Sequence, residues 1–133
     1  MTPRRPFSAI DFRRDQRGAT AAEFALIVPV FLALIFLTIN GAIMLSAVIQ
    51  THYAAERAAR CLSVNISSDC TSGAIDTYAK GFYNGPSLTG MLFTADTAAT
   101  CGSQVTGSGS YTLITGLTPT TVNISATACY PKI

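Results

Sequence analysis

Three observations predict an α+β chain, in which a long N-terminal transmembrane and amphipathic helix leads into a small, disulfide-stapled antiparallel β domain. An apolar run fills residues 24–49, and no charged side chain occurs between Glu23 and Glu56. After Leu62 the composition turns to Ser, Thr, Gly and Asn, and Thr121 to Tyr130 alternates apolar and polar residues with a period of two. All four cysteines, Cys61, Cys70, Cys101 and Cys129, follow the apolar run. At 133 residues the chain holds one small domain beyond such a helix.

The apolar run has the length of a membrane span. About 26 residues at 1.5 Å each cover roughly 39 Å, more than a ~30 Å hydrocarbon layer. Pro29 and Asn40-Gly41 interrupt the helical pattern, and Pro29 predicts a kink or a local loosening near its start. Beyond the membrane, Leu45, Val48, Ile49, His52, Ala55, Ala59 and Leu62 recur at three- and four-residue steps. They predict a narrow apolar stripe that holds the following domain, with Gln50, Tyr53, Arg57 and Arg60 left wet. Asn65, Ser67, Ser68 and Asp69 supply the stop.

Charge is divided unevenly. Up to Gly18 there are five Arg and two Asp, whereas from Ala19 onward acidic residues outnumber basic ones by one. The basic leader places the N-terminus in the cytoplasm by the positive-inside rule, so the rest of the chain is exported. The near-neutral body offers no basic face for nucleic acid.

In the exported part, Ile75, Tyr78, Ala79 and Phe82 share one face of a short helix expected over Ala74 to Tyr83, ended by Gly85-Pro86. Strands are expected at Leu88 to Phe93, Tyr111 to Leu117 and Thr121 to Tyr130, with a turn at Gly116 to Pro119. The cysteines lie at wide, irregular spacings without a C-x-x-C, which argues against a zinc ribbon or a redox motif and for two disulfides in an oxidising compartment. Cys61 with Cys70 would staple the helix end, and Cys101 with Cys129 would tie a loop to the last strand. The other two connectivities remain open on sequence grounds.

The junction before the apolar run is the most informative motif. Arg17-Gly18-Ala19 is followed at Glu23 by a carboxylate at the edge of the membrane segment. Burying an ionised carboxylate there costs about 2.5–3.5 kcal/mol on insertion scales, so an ordinary anchor gains nothing from it. The run GATAAEFALIVPVF, preceded by RRDQR, resembles the TadE-like family of minor pseudopilins from tight-adherence (Flp-type IVb) pilus systems. The resemblance covers Arg13 to Leu62, including Tyr53-Ala-Ala-Glu-Arg-Ala-Ala-Arg60, and does not extend past Ser63. It implies a pilin-like inner-membrane precursor cut by a prepilin peptidase, with Gly18 before the cut, Ala19 as the new N-terminus and Glu23 as the acidic assembly residue. It further implies other pilins and pseudopilins, an inner-membrane assembly platform and membrane lipid as partners. Phe24 stands where the major pilins of such systems usually carry tyrosine, which favours a minor subunit. The implied organisation is a cleaved leader over 1–18, a helix over 19–62 with its membrane segment at about 24–49, and an exported domain over 63–133.

The chemistry of that arrangement is intelligible without the family. Gly18 leaves the scissile backbone open. Cleavage removes the basic leader and creates an α-amine of pKa about 7.7–8.0, largely protonated at neutral pH. Glu23 then has a cation to pair with, on its own Ala19 or on a neighbouring subunit, and such a pair fixes register.

Rival readings are an uncleaved single-pass anchor carrying a periplasmic binding module and a conventionally secreted small β protein. The first would keep its leader; the second would be cut after the apolar run, although that run exceeds a usual signal sequence. Arg4-Arg5 only superficially matches a twin-arginine signal, and Asn65-Ile66-Ser67 and Asn123-Ile124-Ser125 are read as turn and strand residues rather than glycosylation sites. No enzymatic activity, cofactor or metal is expected. The lone histidine, His52, lies on the helix stripe. Gly102, Gly107 and Gly109 have no helix to follow, and no carboxylate pair or metal-ligand cluster is visible.

Overall fold

The computed structural model describes residues 17–65, 67–114 and 118–132. The leader lies outside them apart from its last two residues, as do Gly116 and Leu117 of the expected turn. Two units are recognised, 1–35 and 36–133. The helix α1, Arg17–Val64, begins in the first and ends in the second. It continues through Pro29, Asn40 and Gly41 without a break in helical structure. Asn40 satisfies its own amide, since Nδ2 donates to the Phe36 carbonyl at 2.8 Å. Gly41 has no neighbour that a side chain would meet.

The helix stops at Val64 because Asn65 takes a left-handed conformation, with φ 47°, and its N–H donates to the Cys61 carbonyl at 2.9 Å. A short 3₁₀ turn, Ser68–Cys70, follows, and then the helix α2, Ile75–Phe82. Three strands complete the chain: β1 (Thr89–Ala99), β2 (Gly102–Ile114) and β3 (Pro119–Tyr130). They form one antiparallel sheet in the order β1-β2-β3.

The core lies between α1 and one face of this sheet. Ala54, Ala55, Ala58, Ala59 and Leu62 pack with Ile75 and Ala79 of α2 and with Phe93 and Val105 of the sheet. This corrects the expected stripe. Of its members only Ala55, Ala59 and Leu62 are buried; Leu45, Ile49 and His52 are exposed, and Ala47, Thr51, Ala54 and Ala58 take their places. Hydropathy favours the large residues, but a helix lying close on a sheet selects the small ones. Thr51 is admitted because its hydroxyl donates to the Ala47 carbonyl at 2.7 Å; among the described residues no buried side-chain polar atom lacks a partner.

The strand boundaries need a second correction. β1 runs on to Ala99, and β2 starts at Gly102 rather than Tyr111. The Gly/Ser/Thr-rich stretch before Tyr111 is strand because its glycines face close neighbours. A Cβ on Gly107 would strike the Phe93 ring and come within 3.0 Å of Thr51 Cγ2. Weak intrinsic strand preference is overridden there by the need for space under the helix. At the β1–β2 turn Gly102 has φ 121° and abuts the Tyr130 carbonyl, a backbone conformation that L side chains rarely adopt.

Two disulfides close the unit, Cys61–Cys70 and Cys101–Cys129, with Cα atoms 5.1 and 6.2 Å apart. The first fixes the helix end to the following turn. The second joins the β1–β2 turn to β3.

Candidate functional site

The first unit contains the segment that carries the sequence motif. Gly18 and Ala19 lie in the first turn of α1, and Glu23 lies one further turn along. Residues 20–27 are all exposed. Ala19 and Glu23 are four positions apart in the helix, about one turn. Among the described residues the sole ion pair is Lys80–Asp76, so Glu23 has no cationic partner in them.

The apolar stretch of α1 is naked on every side. Phe24, Leu26, Ile27, Val30, Phe31, Leu34, Phe36 and Leu37 are all more than half exposed. A helix apolar all round and covered by none of the described residues requires lipid or neighbouring helices. The stretch is long and apolar enough to cross a membrane, and none of its most apolar window is buried.

Residues 18–60 match the model of the family described as TadE-like protein. Over that segment the chain is similar to TadE-like proteins. The match starts at Gly18 and falls entirely within α1. The likeness is to TadE-like proteins, and it coincides with the helix that is long and apolar enough to cross a membrane. The chain matches no curated protein and no solved structure.

The TadE-like segment ends in the exposed basic part of α1. Arg57 is held by Tyr53 one turn before it: Nε donates to the phenol oxygen at 3.2 Å, and the guanidinium carbon lies 5.2 Å from the ring centroid. Arg57 and Arg60 line a shallow open groove with the Cys61–Cys70 disulfide, Val64, Ser67 and Tyr78. Sequence reasoning left these arginines wet but did not bring them to one groove, because the far wall comes from α2. His52 is exposed on α1 and away from the buried core.

Asp76 has a role that no sequence signal announced. Its Oδ1 accepts the Phe93 N–H at 2.9 Å and its Oδ2 accepts from Lys80 Nζ at 2.7 Å, so one carboxylate ties α2 to β1. Partial burial alone would raise its pKa, but the Lys80 bond, the Phe93 N–H and the Lys80 charge together hold it below the ordinary 3.8. Tyr83 is pushed up by burial, and its hydroxyl donates to the Pro86 carbonyl at 2.5 Å.

Proposed function

We propose that the chain is a minor pseudopilin, non-enzymatic, that acts in assembling a tight-adherence pilus through its N-terminal helix. The observation that carries this reading is the coincidence of the family match, the all-round exposed helix and the motif Gly18-Ala19…Glu23 at its start. A prepilin peptidase would cut between Gly18 and Ala19. The helix would stay in the inner membrane with its start at the cytoplasmic face, and the disulfide-bonded part would stand on the periplasmic or extracellular side. Glu23 would then pair with an Ala19 amine, its own or a neighbour's, within reach of other pilins and the assembly platform. An uncompensated carboxylate at the edge of an apolar helix is costly unless it meets such a cation, which supports the intersubunit role.

The test is the mature N-terminus. Expression beside the peptidase should yield a chain that begins at Ala19, and Gly18→Phe should leave a precursor heavier by about 2 kDa, the leader at typical residue masses. A Gly18→Phe chain still trimmed to Ala19 would refute this cleavage site, and an intact leader in the native chain would favour an uncleaved anchor.

A further inference from the structure

The unit over 36–133 holds naked apolar helix as well as the sheet, and the two lie side by side for longer than the core requires. Ser63 Oγ donates to the Pro131 carbonyl at 2.5 Å, so the Ser103–Tyr130 pair stands level with the end of α1. Further back on the helix, Thr51 meets Gly107 of β2. Between these two points the helix measures about 18 Å and the strand about 14 Å, so β2 runs alongside α1 in the opposite direction. From Gly107 to Leu113 β2 continues for roughly another 20 Å, which brings its end beside helix residues near Asn40. The burial of the helix agrees. On the side toward the sheet Ala47 is buried, Met44 and Asn40 are half-buried, and cover ends there.

We propose that this end of the β2–β3 hairpin is a second membrane contact, seated in the lipid headgroup layer beside α1; the contact presupposes the membrane anchoring proposed above. Phe36, Leu37, Ile39 and Ile43 are exposed at the same level, so a bilayer that covers them also meets the hairpin. The composition suits that layer. No charged residue occurs between Asp96 and Lys132. Ser103, Val105 and Gly107 face the helix, so alternation puts Tyr111 and Leu113 on that face and Thr112 on the other. Tyr111, Leu113 and Val122, which pairs with Tyr111, are half-buried, whereas Thr112, Thr120 and Thr121 are exposed. An amphipathic ring and a row of hydroxyls suit the interface between hydrocarbon and water.

Backbone chemistry sets the depth. β1 pairs with β2 only as far as Ser110, so beyond it neither edge of the hairpin has a neighbouring strand among the described residues. Open sheet edges do not occur in hydrocarbon, where their N–H and C=O groups would find no partner. The hairpin end therefore stops in the headgroups, and the hydrocarbon boundary lies near Asn40 rather than at Ile49.

The chain has no tryptophan, so a single introduced one reports alone. Thr121→Trp lies at the hairpin end, and Thr127→Trp lies about 20 Å along the same face of β3; both positions are exposed. The full-length chain is placed in phosphatidylcholine vesicles brominated at shallow or at deep acyl positions. Thr121→Trp should lose roughly half its emission to shallow bromines and less to deep ones, while Thr127→Trp loses almost none and stays open to acrylamide. Thr112→Trp, directly opposite Thr121, repeats the measurement if the first variant fails to form both disulfides. Unquenched tryptophans in a chain that floats with the vesicles overturn the contact and leave the anchoring standing. A chain that does not float overturns the anchoring and the contact with it. Strongest quenching by deep bromines overturns the headgroup placement. A Thr121→Trp chain shielded from acrylamide yet unquenched by bromine has a protein neighbour there, which overturns lipid as the partner.

Discussion

The two stretches of α1 both carry many apolar side chains, yet they answer to different surroundings. Residues 24–37 place large side chains on every face, and nearly all are exposed. Residues 47–62 bury alanines, Thr51 and the terminal Leu62 on one face and leave Tyr53, Arg57 and Arg60 outside. Size explains the contrast better than hydropathy does. Lipid imposes no shape and rewards apolar area, whereas a folded sheet rewards close approach, and close approach needs small residues on the helix and a glycine opposite them. The lesson is that an apolar helical run should be divided by side-chain volume before it is given one role.

The sharpest way to break this comparison is at the start of the helix. Glu23→Ala should abolish or nearly abolish pili while the chain remains processed, membrane-held and disulfide-bonded, because the residue lies in the naked stretch and supports no fold contact. Normal pilus numbers in that strain would remove the charge-pairing role and leave the TadE-like assignment intact.

Core truncation should separate the two stretches by stability. Phe93→Ala empties the space beside Gly107 and should cost about 3–5 kcal/mol in the unfolding of residues 36–133. Phe31→Ala should leave the same transition within ~0.5 kcal/mol. Chemical denaturation monitored by tyrosine fluorescence checks both, and equal losses would mean that the naked stretch is packed by its own chain.

The disulfides come next. Replacing both Cys101 and Cys129 by Ser opens a loop with a sequence separation of 28 and should cost about 3.5 kcal/mol in the chain-entropy account. The Cys61/Cys70 pair, with a separation of 9, should cost about 2.5 kcal/mol. Midpoint shifts in the reverse order would show that the helix-end staple, not the strand tie, holds the unit.

Asp76 gives the smallest effect. Its folded pKa lies below the ordinary value, so the carboxylate's contribution is present above about pH 4 and is lost as pH falls through the folded pKa. Asp76→Asn should therefore destabilise by about 1 kcal/mol at pH 7 and by progressively less in acid. A gap between the two melting temperatures that persists at pH 2 would show that geometry rather than charge makes the α2–β1 tie.

The order of elements, the short helix at residues 75–82 and the last strand were legible because period and composition are local properties. The motif at Gly18, Ala19 and Glu23 was legible for a similar reason, since a carboxylate beside an apolar run is conspicuous in one dimension. The second strand was not. Gly102 to Ser110 reads as loop, and it becomes strand because Gly107 alone leaves room for the Phe93 ring and for Thr51 above it. The sequence by itself determined that a naked apolar helix precedes a small cysteine-bearing α+β unit, since these follow from hydropathy and chain order. Only the tertiary structure decided which helical face is buried, that Asp76 ties α2 to β1, and that Lys132 reaches back to Thr97. Those outcomes depend on distances between residues far apart in the chain, which no local pattern encodes.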